Sequence, residues 1–397
     1  MESGFDSTSE GAEMVSKRLQ EIPASGTIAI SNLVSQMKSE GVDVVSYSMG
    51  EPDFDTPANV VEACCDSLRS GYTHYTPSLG IPELRKAVAD ASRAESGIPC
   101  DQSNVLITPC KQAIFMVALA YIDPGDEVIL SDPSWVSYEA CIRLAGGVPV
   151  YVPTSFEDGF VLDPAKVEAA ITPRTRMIIL NTPSNPTGCV MPRGVLKQIA
   201  DIAKAHGIKV LADEIYSAIV YEGEHVSISS FPGMFENTIT VSGLSKSYAM
   251  TGWRLGWAIA PAEDIKAINK LQSHSISCAV SFVQKAAVEA LTGPQDSRAS
   301  MVKEFRRRRD LVMDLVEEIP GFECNVPSGA FYVFPKYNRD VPSAKLAEVL
   351  LKEGHVAVTP GTAFGPNGEG FFRISYATSE DQIREGMARI RKVVSGL

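Results

Sequence analysis

Seven short hydrophobic runs, rich in β-branched residues, recur between residues 104 and 260 of the chain. They are NVLIT (104–108), EVILS (127–131), VPVYV (148–152), RMIIL (176–180), KVLAD (209–213), TITVS (238–242) and RLGWAIA (254–260). Each run is continuous rather than alternating, as expected for strands that are buried on both faces of a sheet. Amphipathic stretches such as 111–122 and 193–207 separate several runs, which predicts βαβ units and a mainly parallel, seven-stranded sheet between helices.

The last hundred or so residues have a different pattern. They contain a long helical stretch around 295–318, a strand-like GAFYVFP (329–335), a helix near 343–353 and a strand-like FFRISYA (371–377). A chain of 397 residues is also too long for one simple hydrophobic core. We therefore expect a large α/β domain over 51–290 and a smaller α+β domain formed by 291–397 together with the N-terminal segment 1–50.

The charge balance argues against nucleic acid and membrane partners. The formal net charge is −12, whereas binding to a phosphate backbone requires a clustered excess of Lys and Arg. The one basic run, Arg306–Arg309, has helical periodicity and is expected on a solvated, salt-bridged helix face. No stretch approaches the roughly 20 apolar residues that cross a bilayer, and the acidic start MESGFDSTSEGAE is unlike a signal peptide. These features predict a cytoplasmic protein.

The eight cysteines show no CxxC pair and no grouping with histidine at the spacing of a zinc site. Small, buried apolar residues in a reducing compartment are the simpler interpretation. We therefore expect neither disulfides nor a metal site.

Chemically unusual residues follow the predicted strands. Ligand sites in such sheets lie outside the carboxyl ends of the strands, so the residues that follow the runs are candidates for one site. The segments are TPCKQ after the first run, DPSW after the second, NTPSNPTG after the fourth, DEIY at the fifth and GLSK after the sixth.

Lys246 lies between two serines in VSGLSKSYAMTGWRLGW, soon after the sixth run. A lysine on a Ser/Gly turn after a buried strand can have its amine desolvated and its pKa lowered, which favours imine formation with an aldehyde. Taken alone, a surface loop lysine is the more common case. The neighbouring residues favour a cofactor aldehyde, that of pyridoxal 5′-phosphate.

Pyridoxal phosphate presents a ring nitrogen, a 3′-oxygen and a dianionic phosphate, and each needs its own partner. Asp213 ends the run KVLAD, and a buried carboxylate stays charged only beside a cation such as a pyridinium. Tyr216 and the amide of Asn185 can reach the 3′-oxygen. Trp135 can stack on the ring, or it can be an ordinary core tryptophan.

The phosphate also has candidate partners in the sequence. Arg254 offers a fixed guanidinium fork, and the hydroxyl of Ser245 or Ser242 could add a hydrogen bond. The helix predicted to begin at Cys110–Lys111 would contribute backbone N–H groups and the favourable end of a dipole.

Arg373 lies within the hydrophobic strand FFRISYA. Burying an unpaired guanidinium is unfavourable, so a carboxylate is expected to meet it. That carboxylate is either a structural Asp or Glu or the α-carboxylate of a substrate.

Motifs along the chain resemble those of a known family. The core motifs are TPSNPTG, DEIY and SGLSKSYAMTGWRLG, in this order, and the resemblance extends through GEPDFDTP (50–57), YTPSLGIPELR (75–85), PSGAFYVF (327–334) and RISYATS (373–379). Together they resemble the class I aminotransferases of pyridoxal-phosphate fold type I, and most closely the subgroup containing many prokaryotic aspartate aminotransferases. The match covers nearly the whole chain from about residue 17.

The resemblance implies roles for the residues around the cofactor. Lys246 would form the Schiff base and then act as general acid and base, and Asp213 would pair with the pyridinium. Asn185 and Tyr216 would contact the 3′-oxygen. Trp135 would stack on the ring.

The resemblance also implies substrate and subunit contacts. Arg254 would bind the phosphate, and Arg373 would bind the substrate α-carboxylate with help from the backbone at Gly50. Tyr75 matches a tyrosine that reaches the phosphate of the neighbouring subunit, which implies a homodimer with shared active sites. The Asn185–Pro186 bond is expected to be cis.

The chain departs from the family pattern at three places. Gly243 stands where some relatives have a phosphate-binding serine, so Ser242 or Ser245 must substitute or that bond is absent. Cys110 stands where relatives often have a small residue, and it is expected close to the phosphate. Pro23 stands where relatives acting on aspartate or prephenate often have a lysine, which leaves open how a second carboxylate is recognised.

Several activities agree with these residues. A transaminase working by ping-pong kinetics on aspartate and 2-oxoglutarate is the first expectation. Alanine or a broad, partly aromatic range comes next, because Tyr75, Trp135 and Phe331 could line an adaptable pocket. A carbon–sulfur lyase of the same fold would use the same residues, and a cofactor-binding regulator would need a DNA-binding domain for which residues 1–17 leave no room.

Overall fold

The structure is a computed structural model that describes residues 16–20, 22 and 26–396. Its strands are β1 (Val45–Ser46), β2 (Val105–Ile107), β3 (Glu127–Asp132), β4 (Val148–Pro153), β5 (Thr175–Asn181), β6 (Lys209–Asp213), β7 (Thr238–Gly243), β8 (Gly256–Ile259), β9 (Phe322–Glu323), β10 (Tyr332–Val333), β11 (Lys336–Tyr337), β12 (Val356–Ala357), β13 (Thr359–Pro360) and β14 (Phe372–Ser375). Its α-helices are α1 (Lys17–Gln20), α2 (Gly26–Ser39), α3 (Ala58–Arg69), α4 (Pro82–Ser96), α5 (Cys110–Tyr121), α6 (Ser137–Leu144), α7 (Pro164–Ala169), α8 (Arg193–His206), α9 (Leu244–Ser247), α10 (Ala262–Ser275), α11 (Ser281–Thr292), α12 (Asp296–Glu317), α13 (Ser343–Gly354) and α14 (Glu380–Val394). Among these described residues, no helix is both long enough and apolar enough to cross a bilayer.

The seven predicted runs form one seven-stranded sheet in the order β2-β8-β7-β6-β5-β3-β4. Strands β4, β3, β5, β6 and β7 pair in parallel, whereas β8 is antiparallel to both β7 and β2. The prediction of a mainly parallel sheet within an α/β fold of type I is therefore confirmed.

Both faces of this sheet are covered by helices, which explains the continuous hydrophobic runs. In β3, Val128 and Leu130 pack into a core cluster with residues of α5, and Ile129 packs into a different cluster with residues of α8. All three side chains are at most 1% exposed. Alternate residues of the strand therefore enter two separate cores, and neither face can be polar.

Smaller sheets are built from the C-terminal part of the chain. Strands β10, β14 and β13 form an antiparallel sheet, and β9 pairs with β11. Strand β1 pairs in parallel with β12, so part of the N-terminal segment lies against the C-terminal part. The domain boundaries at residues 50 and 290 stay a prediction.

The strand predicted at 329–335 is shorter in the structure, where β10 contains only Tyr332 and Val333. Ala330 has φ +57°, a left-handed conformation that interrupts the extended backbone before β10. The hydrophobic pattern reports the burial of this segment but not the break in its backbone.

The basic run Arg306–Arg309 lies on α12, and the prediction of ion pairs there is confirmed. Arg308 pairs with Asp53 at 2.7 Å, and Arg309 pairs with Glu222 at 3.0 Å. The prediction of a solvated face is wrong for these two arginines, which are 7% and 3% exposed. Carboxylates brought from distant parts of the chain allow both guanidinium groups to be buried.

Candidate active site

A cavity of about 360 Å³ lies at the carboxyl ends of the parallel strands, where Asn181 ends β5 and Asp213 ends β6. Of the residues proposed from the sequence, those that line it are Gly50, Cys110, Lys111, Trp135, Asn185, Asp213, Tyr216, Ser245, Lys246, Arg254 and Arg373. Tyr75 does not line this cavity. The five strand-end segments therefore meet at one place. Ser242, the alternative to Ser245 as a phosphate ligand, does not line the cavity.

Lys246 lies on the short helix α9, which directly follows β7. Its Nζ donates a 2.6 Å hydrogen bond to the carbonyl oxygen of Gly50. Removal of the amine from solvent lowers its pKa to about 8, although the nearby charge of Glu51 acts in the opposite direction. At pH 7 roughly a tenth of this amine is therefore neutral and nucleophilic, far more than for a lysine with the ordinary pKa.

Gly243, where a serine was expected by resemblance, is required by the packing of two strands. A Cβ at this position would lie 2.8 Å from the Cα of Gly256 in the neighbouring strand β8. No side chain fits between backbones this close. Position 243 therefore offers no hydroxyl in this structure, and the bond to the phosphate comes from Ser242 or Ser245 or is absent.

Asp213 is a buried carboxylate, 3% exposed, at the end of β6. The hydroxyl of Tyr138 donates to its Oδ2 at 2.7 Å, and the N–H of Ile215 donates to its Oδ1 at 3.2 Å. Burial raises the pKa of Asp213 to about 6, although both hydrogen bonds lower it. Within the described residues no ion pair reaches this carboxylate, so a cation in the cavity would be stabilised by it.

Arg373, on β14, is 3% exposed. Its Nη1 donates to Oδ1 of Asn185 at 2.8 Å, and its Nη2 donates to the carbonyl oxygen of Ser48 at 2.7 Å. Its Nε is buried without a hydrogen-bond partner, and burial lowers the pKa of the guanidinium. In the part of the chain that the structure describes, Arg373 makes no ion pair. The alternative of a structural Asp or Glu partner is therefore wrong for these residues.

Asn185 and Tyr216 line the cavity and form hydrogen bonds with other residues of its wall. Tyr216 shares a hydrogen bond of 2.8 Å with the hydroxyl of Tyr332. The N–H of Asn185 donates to Oδ1 of Asn181 at 2.8 Å, which orients the NPTG turn. The Asn185–Pro186 peptide bond is cis, as predicted.

A basic end of the cavity is formed by Arg254 and Lys111. Arg254 donates from Nη1 to the carbonyl oxygen of Thr251 at 2.9 Å, and Nζ of Lys111 lies 4.6 Å from the centre of the Trp135 ring. Neither cation forms an ion pair with a described carboxylate. Helix α5 begins here, so its first N–H groups add to the positive potential.

The structure distinguishes between Ser242 and Ser245 as candidate ligands of the phosphate. Ser245 lines the cavity, whereas the hydroxyl of Ser242 donates to the carbonyl oxygen of Glu214 at 3.1 Å. Cys110 also lines the cavity, and its Sγ lies 4.0 Å from Oδ1 of Asp213. Its thiol is therefore placed against the carboxylate as well as at the start of α5.

Two further expectations concern Tyr75 and Pro23. Tyr75 is 90% exposed, so none of the described residues covers its ring. Its proposed contact with a neighbouring subunit stays a prediction. Pro23 lies outside the described residues.

Sequence reasoning missed several residues that line the cavity, namely Ser31, Ser48, Met49, Pro109, Tyr138, Asn181, Ile215, Thr251, Leu255 and Tyr332. Tyr138 and Tyr332 look like ordinary core aromatics in their helix and strand. The signal that was available is the phenol group, since a buried tyrosine hydroxyl needs a partner. Ser31, on α2, gives no local signal, because only the tertiary fold brings α2 to the site.

Comparisons with known proteins agree with this geometry. The family model for aminotransferases of class I and II matches residues 42–390. An aspartate/prephenate aminotransferase of Thermus thermophilus is 44% identical over 386 residues, covering 96% of this chain and 98% of that protein. Aromatic-amino-acid aminotransferase 2 of Thermococcus litoralis is 42% identical, covering 90% of this chain and 93% of that protein.

Solved structures give the same result. The aspartate aminotransferase of Thermus thermophilus with maleate superposes with a TM-score of 0.91 at 43% identity, covering 96% of this chain and 99% of that chain. The family predicted by resemblance is thus confirmed by sequence and by fold. This chain belongs to the aminotransferases of class I and II and is a transaminase of the aspartate aminotransferase kind.

Proposed function

We propose that this transaminase binds pyridoxal 5′-phosphate in the cavity and moves an amino group from an L-amino acid to a 2-oxo acid by ping-pong kinetics. One observation carries the proposal. A half-buried amine with a lowered pKa, a buried carboxylate without a cation and a buried guanidinium without a carboxylate line the same cavity, in Lys246, Asp213 and Arg373. Each group lacks the partner that this cofactor with its substrate would bring.

When bound, the cofactor supplies an aldehyde and an electron sink for the α-carbon of the amino acid. The carboxylate of Asp213, oriented by Tyr138, stabilises positive charge on a ring nitrogen. The amine of Lys246 would hold the cofactor through its aldehyde carbon, and as a free amine it would accept and return the proton of the substrate α-carbon. Its low pKa matches this task, because the amine must change protonation state near neutral pH.

The remaining residues of the cavity would bind and orient the cofactor. The basic end, with Arg254, Ser245 and the N-terminus of α5, suits the phosphate dianion. Trp135, on the cavity wall, would cover one face of the cofactor ring. Asn185 and Tyr216, which now bond to protein partners, are placed to contact the phenolic oxygen.

Aspartate and 2-oxoglutarate are our proposed substrate pair. Both carry a second carboxylate, and Lys111 is a cation on the cavity wall without a described carboxylate partner. It can therefore supply the charge that Pro23 cannot. The names of the Thermus thermophilus relatives support the same choice.

Replacing Lys111 with methionine should lower kcat/KM for aspartate by roughly 10- to 100-fold, the loss expected for a hydrogen bond to a charged group. The value for alanine or phenylalanine should change by less than about threefold, since neither side chain carries a charge. Steady-state kinetics on all three amino acids measure this ratio. Lys197→Met, on an exposed face of α8, is the matched control. An equal loss for every amino acid, with weaker cofactor binding, would instead assign Lys111 to the phosphate.

An aromatic or broad-specificity transaminase is the second candidate. Met49, which is 47% exposed, and Trp135 give the cavity an apolar surface that would accommodate a ring. The relative from Thermococcus litoralis is named as an aromatic-amino-acid aminotransferase.

A half-reaction screen tests the proposed function. Each amino acid is added to the purified holoenzyme, conversion of the cofactor absorption band is followed, and 2-oxoglutarate is then added to restore the band. Rapid conversion by aspartate and full restoration are expected. Pyruvate with free ammonia would indicate a carbon–sulfur lyase, and no response to any amino acid would refute the proposal.

We also propose a homodimer in which Tyr75 contributes to the partner's site. Its 90% exposed ring agrees with a role outside its own subunit. A cytoplasmic location stays a prediction.

A further inference from the structure

Asp132 is a buried carboxyl group that the proposed reaction does not use. It ends strand β3, is 4% exposed and does not line the cavity. Its Oδ2 accepts the backbone N–H of Asn367 at 3.0 Å, while its Oδ1 is buried without a hydrogen-bond partner. A buried carboxyl group with one unpaired oxygen is unfavourable for stability, so its retention calls for an explanation.

Asn367 joins the same carboxyl group to the C-terminal part of the chain. Its side-chain amide donates to the carbonyl oxygen of Asp132 at 3.1 Å and to that of Thr154 at 2.6 Å. The N–H of Ser134 donates to the carbonyl oxygen of Phe364 at 2.8 Å. We call this set of contacts the 132–367 latch. It connects the end of β3 to the two short 3₁₀ turns at Gly361–Phe364 and Pro366–Gly368.

The backbone of the turn lies directly against the carboxyl group. Gly365 has φ +129°, and a Cβ there would overlap with Oδ1 of Asp132. Glycine is needed at this position both for its conformation and for the close approach. The latch therefore allows little movement between its two segments.

Each segment of the latch leads to a wall of the active-site cavity. Three residues after Asp132, the first segment reaches Trp135, which lines the cavity. The second segment contains Phe364, whose ring centre lies 5.0 Å from Cζ of Arg373. The ring of Tyr332 lies 4.5 Å from the same carbon. The rings of Phe364 and Tyr332 thus both pack against the guanidinium, which its hydrogen bonds to Asn185 and Ser48 also orient.

We propose that Asp132 and Asn367 are positioning residues for substrate binding: they hold Phe364 against Arg373 at a set distance from Trp135. The inference rests on the proposed function, in which Arg373 binds the substrate α-carboxylate. A guanidinium that is already oriented loses less freedom when a carboxylate binds. Among the described residues no hydrogen bond of the latch reaches Lys246 or Asp213, so its main effect is expected on substrate binding.

The test compares Asn367→Ala and Asp132→Ala with Asp132→Asn in the holoenzyme. We expect the two alanine variants to raise KM for the preferred amino acid and the dissociation constant for maleate on the order of tenfold, because displacement of a substrate-orienting group by about 1 Å has large effects. The limiting rate of the half-reaction should stay within about twofold, and cofactor affinity should be unchanged. Asp132→Asn, which retains an oxygen to accept the Asn367 N–H, should restore most of the affinity.

Asn59→Ala is the matched control, since that side chain also donates one hydrogen bond between elements, to Glu289 at 2.8 Å on helix α11. It should leave KM and maleate binding unchanged. The double variant Asp132→Ala with Asn367→Ala should be no worse than either single variant, because the two residues act as one unit.

Unchanged KM and maleate binding in Asn367→Ala would overturn the proposed role of the latch in substrate binding. A parallel loss of cofactor affinity and limiting rate would do the same. Failure of the unmodified holoenzyme to react with any amino acid would instead overturn the proposed function. Maleate binding by calorimetry still reports on the latch in that case, because it needs no turnover.

Discussion

Alanine in place of Lys246 should lower kcat for every amino acid by about 10⁴-fold or more and remove the pH-sensitive absorption band of the holoenzyme. The amine has two proposed tasks, bonding to the aldehyde carbon and transferring the proton, and proton transfer alone contributes about 10²- to 10⁴-fold. Single-turnover kinetics and the absorption spectrum as a function of pH measure the two losses separately.

A small primary amine added to Lys246→Ala should recover part of the proton-transfer rate, because the cavity has space where the side chain was. Lys266→Ala, on the exposed face of α10, is the control and should behave like the unmodified protein. An absorption band that persists in Lys246→Ala would show that another group bonds to the cofactor.

Leucine in place of Arg373 should reduce kcat/KM for amino acids roughly 30- to 5000-fold, since loss of one partner of a buried charged pair costs about 2–5 kcal/mol. Most of the loss should be in KM, because the α-carboxylate is held in the ground state as well as in the transition state. The kcat/KM of Arg373→Lys should lie between those of the unmodified protein and Arg373→Leu, because lysine keeps the charge without the bidentate fork. Steady-state kinetics and maleate titration provide the measurements.

Protein stability separates a functional from a structural role for this arginine. A buried guanidinium without a carboxylate partner destabilises the fold, so Arg373→Leu should unfold at the same temperature or a higher one in the absence of ligand. Arg389→Leu, on α14 and outside the wall of the cavity, is the control for KM. A large fall in unfolding temperature together with unchanged KM would contradict the proposed role.

Much of the large sheet could be predicted from the sequence, because strands that are buried on both faces appear as continuous hydrophobic runs. The run KVLAD (209–213) coincides with β6, and the other six runs agree with their strands to within two residues at each end. The short strand β10 was less well predicted, since only Tyr332 and Val333 of the segment 329–335 belong to it. Backbone conformation at Ala330 ends the extended segment, and residue type alone does not reveal it.

Part of the site could also be predicted, because the order of strands and helices fixes where the strands end. Parallel strands end at one edge, so Asp213 and the lysine after β7 had to lie near each other. The choice between Ser242 and Ser245 was left open, because side chains on one turn can point to opposite sides. Tyr138, the hydrogen-bond donor to Asp213, was missed because only the tertiary structure shows which group its hydroxyl meets.

By itself the sequence determined the alternation of strands and helices, the edge where polar residues gather and the kinds of chemical group found there. These depend on hydrophobic patterning and on residue type over a few positions. Only the tertiary structure decided which groups meet, as between Asp132 and Asn367, which are 235 residues apart. Such contacts depend on how separate elements pack, and burial then decides which charges stay unpaired and able to bind a ligand.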